Sequence, residues 1–114
     1  MTIIYGIPNC DTVKKARKWL DAENIDYTFH DFRKDGLTEA QLDGFIAQTS
    51  WETLLNKRST SFRNLPDNIK NNLTESTAKA AMLSEPTLIK RPVLVSGEST
   101  LVGFKASEYE SNVK

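Results

Sequence analysis

The first turn of this chain confines it to one fold class. Thr2-Ile3-Ile4-Tyr5 is a β-branched run with the character of a buried strand. Gly6-Ile7-Pro8-Asn9 reads as a turn. From Asp11 to about Glu23 the residues Val13, Ala16 and Leu20 recur on one helical face, with Lys14, Lys15, Arg17 and Lys18 on the other. A second strand follows, alternating over Asp26 to Phe32. Strand, helix, strand in that order needs a crossover, so the two strands are expected as parallel neighbours in an α/β sheet.

The rest of the chain adds a helical block and a hairpin. Thr38 and Gln41 have the spacing of a capping box, flanked by Leu37 and Leu42, and Leu42, Phe45 and Ile46 give the helix its apolar face. Trp51 to Ser84 is helical in composition but broken, with pieces at Trp51-Leu55, at Phe62-Leu65 and from about Thr74 to Leu83. Pro86 is expected to end the block. Strand character returns at Pro92-Val95, and Ser96-Gly97-Glu98-Ser99 is a hairpin turn. Thr100-Val102 returns, Gly103 breaks it, and Ala106 to Val113 can form a terminal helix. The expected order is βαβ, a helical block, then ββα, in one domain spanning residues 1–114.

Cys10, the one cysteine, stands where the first helix begins. Unpaired N–H groups and the positive end of a helix dipole favour negative charge at that point. A thiol so placed can titrate below its ordinary value of about 8.5, and the thiolate is the nucleophile. A small buried apolar residue is the other role open to a lone cysteine. A core cysteine would more often lie within the strand or on the apolar face of the helix than at the joint between them.

Composition narrows the chemistry. Fifteen acidic and fifteen basic residues cancel, so no overall field draws in nucleic acid or an anionic membrane. One cysteine excludes an internal disulfide, and one Cys with one His makes a poor metal set. No signal sequence or membrane-length apolar run is evident. A reducing cytoplasm is the expected location. Without a resolving thiol, Cys10 would have to be released from any mixed disulfide by an outside thiol, for which glutathione is the natural choice.

Three segments carry a family resemblance: Ile4 to Ala16 around Cys10, Lys57-Arg58-Ser59, and Leu88-Ile89-Lys90-Arg91-Pro92-Val93-Leu94-Val95. With the element order, they resemble the ArsC family, which includes arsenate reductases, Spx regulators and YffB-type reductases. The pattern is most similar to the YffB-type branch. The resemblance implies a thioredoxin-like, mixed four-stranded sheet with a helical insert. It also implies a cis peptide bond before Pro92 and a site in which Arg91-Pro92 lies opposite Cys10.

In that family setting Cys10 would be the catalytic thiol, with Asn9 and Lys14 stabilising the thiolate. Arg91, Arg58 and Lys105, with Pro92 as a wall, would hold an anionic substrate or a glutathione carboxylate. Blander roles are open to each. Arg91 and Arg58 can be surface arginines, Lys14 a solvent-facing lysine, and Asn9 a helix cap. His30 is expected in a strand-end role away from Cys10.

Three positions depart from the arsenate-reductase pattern. Gly6 stands where those enzymes carry histidine, Val13 where they carry a small polar residue, and Lys105 where they carry a third arginine. Val13 also removes the second thiol of the Cys-x-x-Cys switch found in many Spx regulators. The expected function is a glutathione-dependent thiol (disulfide) reductase, with no bound cofactor and no metal. Glutathione would be the co-substrate and glutaredoxin a further candidate partner. Arsenate reduction is the alternative, and an Spx-like regulator that contacts RNA polymerase is the alternative outside enzymology.

Overall fold

The computed structural model describes residues 2–113. The chain forms two compact units, residues 1–36 with 91–114 and the continuous stretch 37–90.

The first unit is built on a four-stranded sheet of order β2-β1-β3-β4. β1 (Thr2–Gly6) pairs in parallel with β2 (Thr28–Asp31), as the crossover rule requires. It pairs antiparallel with β3 (Val93–Ser96), which turns back into β4 (Ser99–Val102). Ser96 faces Ser99 across a two-residue hairpin, and Gly97 takes the positive φ of 59° that the turn demands. β2 is shorter than the alternation from Asp26 suggests. Pro92 stands just before β3 rather than within it.

α1 (Asp11–Ala22) packs Val13, Ala16 and Leu20 inward. Ile4, Ala16, Leu20, Leu94 and Tyr109 form the centre of the core. The helix ends in a Schellman motif. Asn24 takes a φ of 58°, its N–H reaches the Asp21 carbonyl, and the Ile25 N–H reaches the Leu20 carbonyl at 3.0 Å. The terminal helix α7 (Ala106–Val113) brings Tyr109 into this core, edge-on to Trp19 and Phe104.

In the second unit, α2 (Glu39–Gln48) starts on the Thr38/Gln41 capping box, with both reciprocal bonds present. The broken region resolves into α3 (Trp51–Leu54), α4 (Thr60–Arg63), α5 (Asp67–Lys70) and α6 (Glu75–Ser84). Ser50, Ser59 and Thr74 cap three of these four through side-chain oxygens. Pro86 does not close the block. It opens a 3₁₀ turn, Pro86–Leu88, which suits proline because its missing N–H is unpaired there in any case. Lys79 of α6 bridges Glu39 (2.6 Å) and Asp43 (2.8 Å) of α2. Leu42, Phe45, Leu54, Leu55, Ala78, Met82, Leu88 and Ile89 are buried in this unit.

Candidate functional site

Cys10 is the N-cap residue of α1. Its backbone is extended (φ −103°, ψ 125°), and its carbonyl accepts the first helical bond from Lys14 N–H at 3.0 Å. That geometry corrects the idea of Asn9 as the cap, since Asn9 lies one residue earlier in the exposed turn. The Cys10 side chain makes no capping bond to the first turn of the helix. The thiol belongs to a half-buried, unbridged cysteine at the joint of strand and helix, where the positive end of the dipole lies.

Strand register brings further candidates to the same end of the sheet. β1 and β3 run antiparallel with Tyr5 opposite Val93, so the exit of β1 toward Cys10 lies beside the entry to β3. That entry is Arg91-Pro92, joined by a cis peptide bond as the resemblance implied. Pro92 is buried and Arg91 half-buried. The Gly103 N–H donates to the Pro92 carbonyl at 2.8 Å, so the segment leaving β4 toward Lys105 starts at this end too. Tyr109 fastens that segment by donating its hydroxyl to the Gly103 carbonyl at 2.9 Å. Lys105 is exposed at the head of α7, where its carbonyl accepts the Tyr109 N–H. Lys14 is exposed, one turn into α1.

Arg58 belongs to the other unit. It is exposed in the turn between α3 and α4, where its N–H donates to Asn56 Oδ1 at 3.1 Å. His30 lies within β2. Its Nε2 is 2.7 Å from the Gly36 carbonyl, and its ring is 4.8 Å from that of Tyr5. These contacts give it a packing role. Burial raises the Tyr5 hydroxyl above its usual pKa.

Gly6 and Val13, read in the sequence as two separate departures, are in contact. A Cβ built on Gly6 would stand 2.7 Å from Val13 Cγ2. β1 and α1 approach this closely because one partner has no side chain. Sequence reasoning also missed Arg17, whose guanidinium lies 4.3 Å from the Phe29 ring centre while its Nε donates to the Tyr27 hydroxyl at 3.3 Å. The alternation from Asp26 could have signalled it, since Tyr27 and Phe29 stand two residues apart in that run. Among the described residues no group of three His, Cys, Asp or Glu could hold a metal, and no helix is long and apolar enough to cross a membrane.

Residues 5–112 match the model of the ArsC family. The chain belongs to the ArsC family. A YffB protein of known structure superposes with a TM-score of 0.96 at 43% identity, covering 100% of both chains. An arsenate reductase (ArsC) related protein from Brucella melitensis is 48% identical, with a TM-score of 0.78 over 96% of this chain and 92% of that one. A Haemophilus influenzae protein of no stated function is 47% identical over 111 residues, 97% of each chain. Regulators named Spx match further off, the one from Lactiplantibacillus plantarum at 26% over 110 residues, 95% of this chain and 83% of its own. The fold is thus that of the ArsC-family proteins, an α/β fold with a mixed four-stranded sheet.

Proposed function

We propose that this ArsC-family chain reduces mixed disulfides through Cys10, with glutathione as electron donor. The observation that carries the proposal is the placement of a lone, half-buried cysteine at the N-cap of α1, at the sheet end that also holds cis Arg91-Pro92. Thiolates are favoured at such helix starts, and thiolates attack disulfides.

In the first step Cys10 Sγ attacks the glutathione sulfur of a mixed disulfide R–S–S–G. The new S–S bond forms as the old one breaks, and RS⁻ leaves and takes up a proton. A second glutathione thiolate then attacks the Cys10–glutathione disulfide, releasing oxidised glutathione and returning Cys10 as thiolate. The external thiol is needed because the chain has no second cysteine. Lys14 and Asn9 are assigned to the thiolate, and Arg91 and Lys105 to the carboxylates of glutathione, with Pro92 as a wall. Arg58 enters only through the family resemblance, and Arg58→Ala is its test. A reducing cytoplasm suits this chemistry.

The test is NADPH oxidation coupled through glutathione reductase, with a glutathionylated disulfide and with arsenate as separate substrates. Turnover of the disulfide, lost in Cys10→Ser, is the expected result. The 48% identity to an arsenate reductase related protein favours arsenate as the second reading, and arsenate turnover would establish it. Turnover of neither substrate would overturn both and leave a binding role of the Spx kind, tested by retention of RNA polymerase on the immobilised chain.

A further inference from the structure

We infer that the outward face of α1 is a docking surface for an acidic segment of the protein that carries the disulfide. The inference rests on the reading of Cys10 as the reacting thiol, and it names the class of partner. Lys14, Arg17, Lys18 and Asp21 line a shallow cleft of about 250 Å³ on that face. The cleft starts one helical turn beyond Cys10, and at 1.5 Å of rise per residue Lys18 lies about 12 Å along the axis from it.

Lys14, in the first turn of the helix, opposes its dipole, and Lys14 and Lys18 are like charges at i, i+4. Asp11 and Asp21 have helical i, i+3 or i, i+4 spacing to these cations, but among the described residues neither bridges any of them. Nor are they neutralised within the chain. Among the described residues no carboxylate oxygen lies within ion-pair distance of Lys14, Lys15, Arg17 or Lys18. Asp21 lines the same cleft without bridging any of them.

Arg17 is held ready for an incoming anion. Phe29 supports the guanidinium at 4.3 Å from the ring centre, and Tyr27 accepts a bond from its Nε at 3.3 Å. A partner carboxylate would therefore meet an arginine whose conformational freedom is already reduced. With net charge zero over the whole chain, attraction for an anion here is local rather than a property of the whole molecule. That favours an acidic protein segment over the long, uniform charge of a nucleic acid. Asp21 closes the far end, so a fitting segment carries acidic groups nearest its reactive sulfur and a basic group beyond them.

Two peptides test this, each with a single cysteine activated as the thionitrobenzoate disulfide. One has glutamates beside the cysteine and the other has glutamines. At low ionic strength the wild-type Cys10 thiolate should attack the peptide sulfur, forming a Cys10–peptide disulfide as the thionitrobenzoate anion leaves. That step should be at least about tenfold faster with the acidic peptide than with the neutral one, and high salt should remove the advantage. Lys18→Glu should abolish the preference with the neutral rate unchanged, and Lys18→Arg should keep it. Equal rates for the two peptides, or an acidic preference that survives Lys18→Glu, would overturn the inference.

Binding of the reduced acidic peptide to Cys10→Ser, followed by fluorescence anisotropy, separates the two layers. Binding that is lost in Cys10→Ser/Lys18→Glu, beside an unreactive Cys10 in the wild type, would sustain the docking surface and overturn the thiol chemistry.

Discussion

Val13 occupies the space that a side chain on Gly6 would need, its Cγ2 standing 2.7 Å from the position of a Gly6 Cβ. Val13 is fully buried and stiff at χ1, so it cannot swing aside. Gly6→Ala should destabilise the chain by about 1–3 kcal/mol through overpacking. In the Val13→Ala background the same change should cost less, with a coupling of about 0.5–3 kcal/mol in a double-mutant cycle read by urea unfolding. Gly6→His alone should unfold the first unit more readily than Gly6→His with Val13→Ser.

Cys10→Ser should separate chemistry from folding. A serine hydroxyl caps a helix well, and Cys10 makes no side-chain cap bond to lose. The variant should be at least as stable as wild type, by up to about 1 kcal/mol in thermal or urea unfolding, while coupled NADPH oxidation disappears. Activity persisting in the serine variant would remove Cys10 from the reaction.

Arg91→Ala should act on glutathione more than on the chemical step. A charge-assisted hydrogen bond is worth about 1.5–3 kcal/mol, so KM for glutathione should rise by roughly 10- to 100-fold with a smaller change in kcat. Arg91→Lys should recover only part of this, since an ammonium lacks the guanidinium fork.

Tyr109 should shape the alkaline limb of stability. Burial, and next the Glu108 charge, raise its hydroxyl above the ordinary value of 10.0. The native state therefore holds this proton more tightly than the unfolded chain does. Its contribution is complete below about pH 10 and is lost as pH rises through the elevated native value. Tyr109→Phe should flatten that alkaline fall, as measured by urea unfolding across pH 9–11. At neutral pH it should cost about 1 kcal/mol for the lost bond to the Gly103 carbonyl.

What could be read from the sequence was set by local chemistry. The Thr38/Gln41 box, the Gly97 hairpin and the α7 bounds rest on residues within a few positions of one another, and all stand where their chemistry put them. The pieces between residues 51 and 90 were harder, because single capping serines at Ser50 and Ser59 start one-turn helices too short to show a period. β2 came out shorter than its alternation, since only Thr28–Asp31 pairs with β1. At the site, Cys10 was legible from the strand-turn-helix joint. The cis bond at Pro92 came only from the family resemblance. The Gly6–Val13 contact and the Arg17 stack join residues on different elements, and no local pattern carries such contacts.

The division of the chain bears on its tolerance to change. The stretch 37–90 is continuous, while β1 finds its partner β3 only after that whole stretch has been passed. Closing a flexible loop costs only about 0.6 kcal/mol more for each doubling of its length. Insertions in the exposed turns of 37–90, such as the one between α3 and α4, should therefore alter the ease of joining β1 to β3 very little. Change is tolerated at the exposed turns of that stretch, while its buried residues, Leu42, Phe45, Leu54 and Met82 among them, hold its own core and leave little room for substitution.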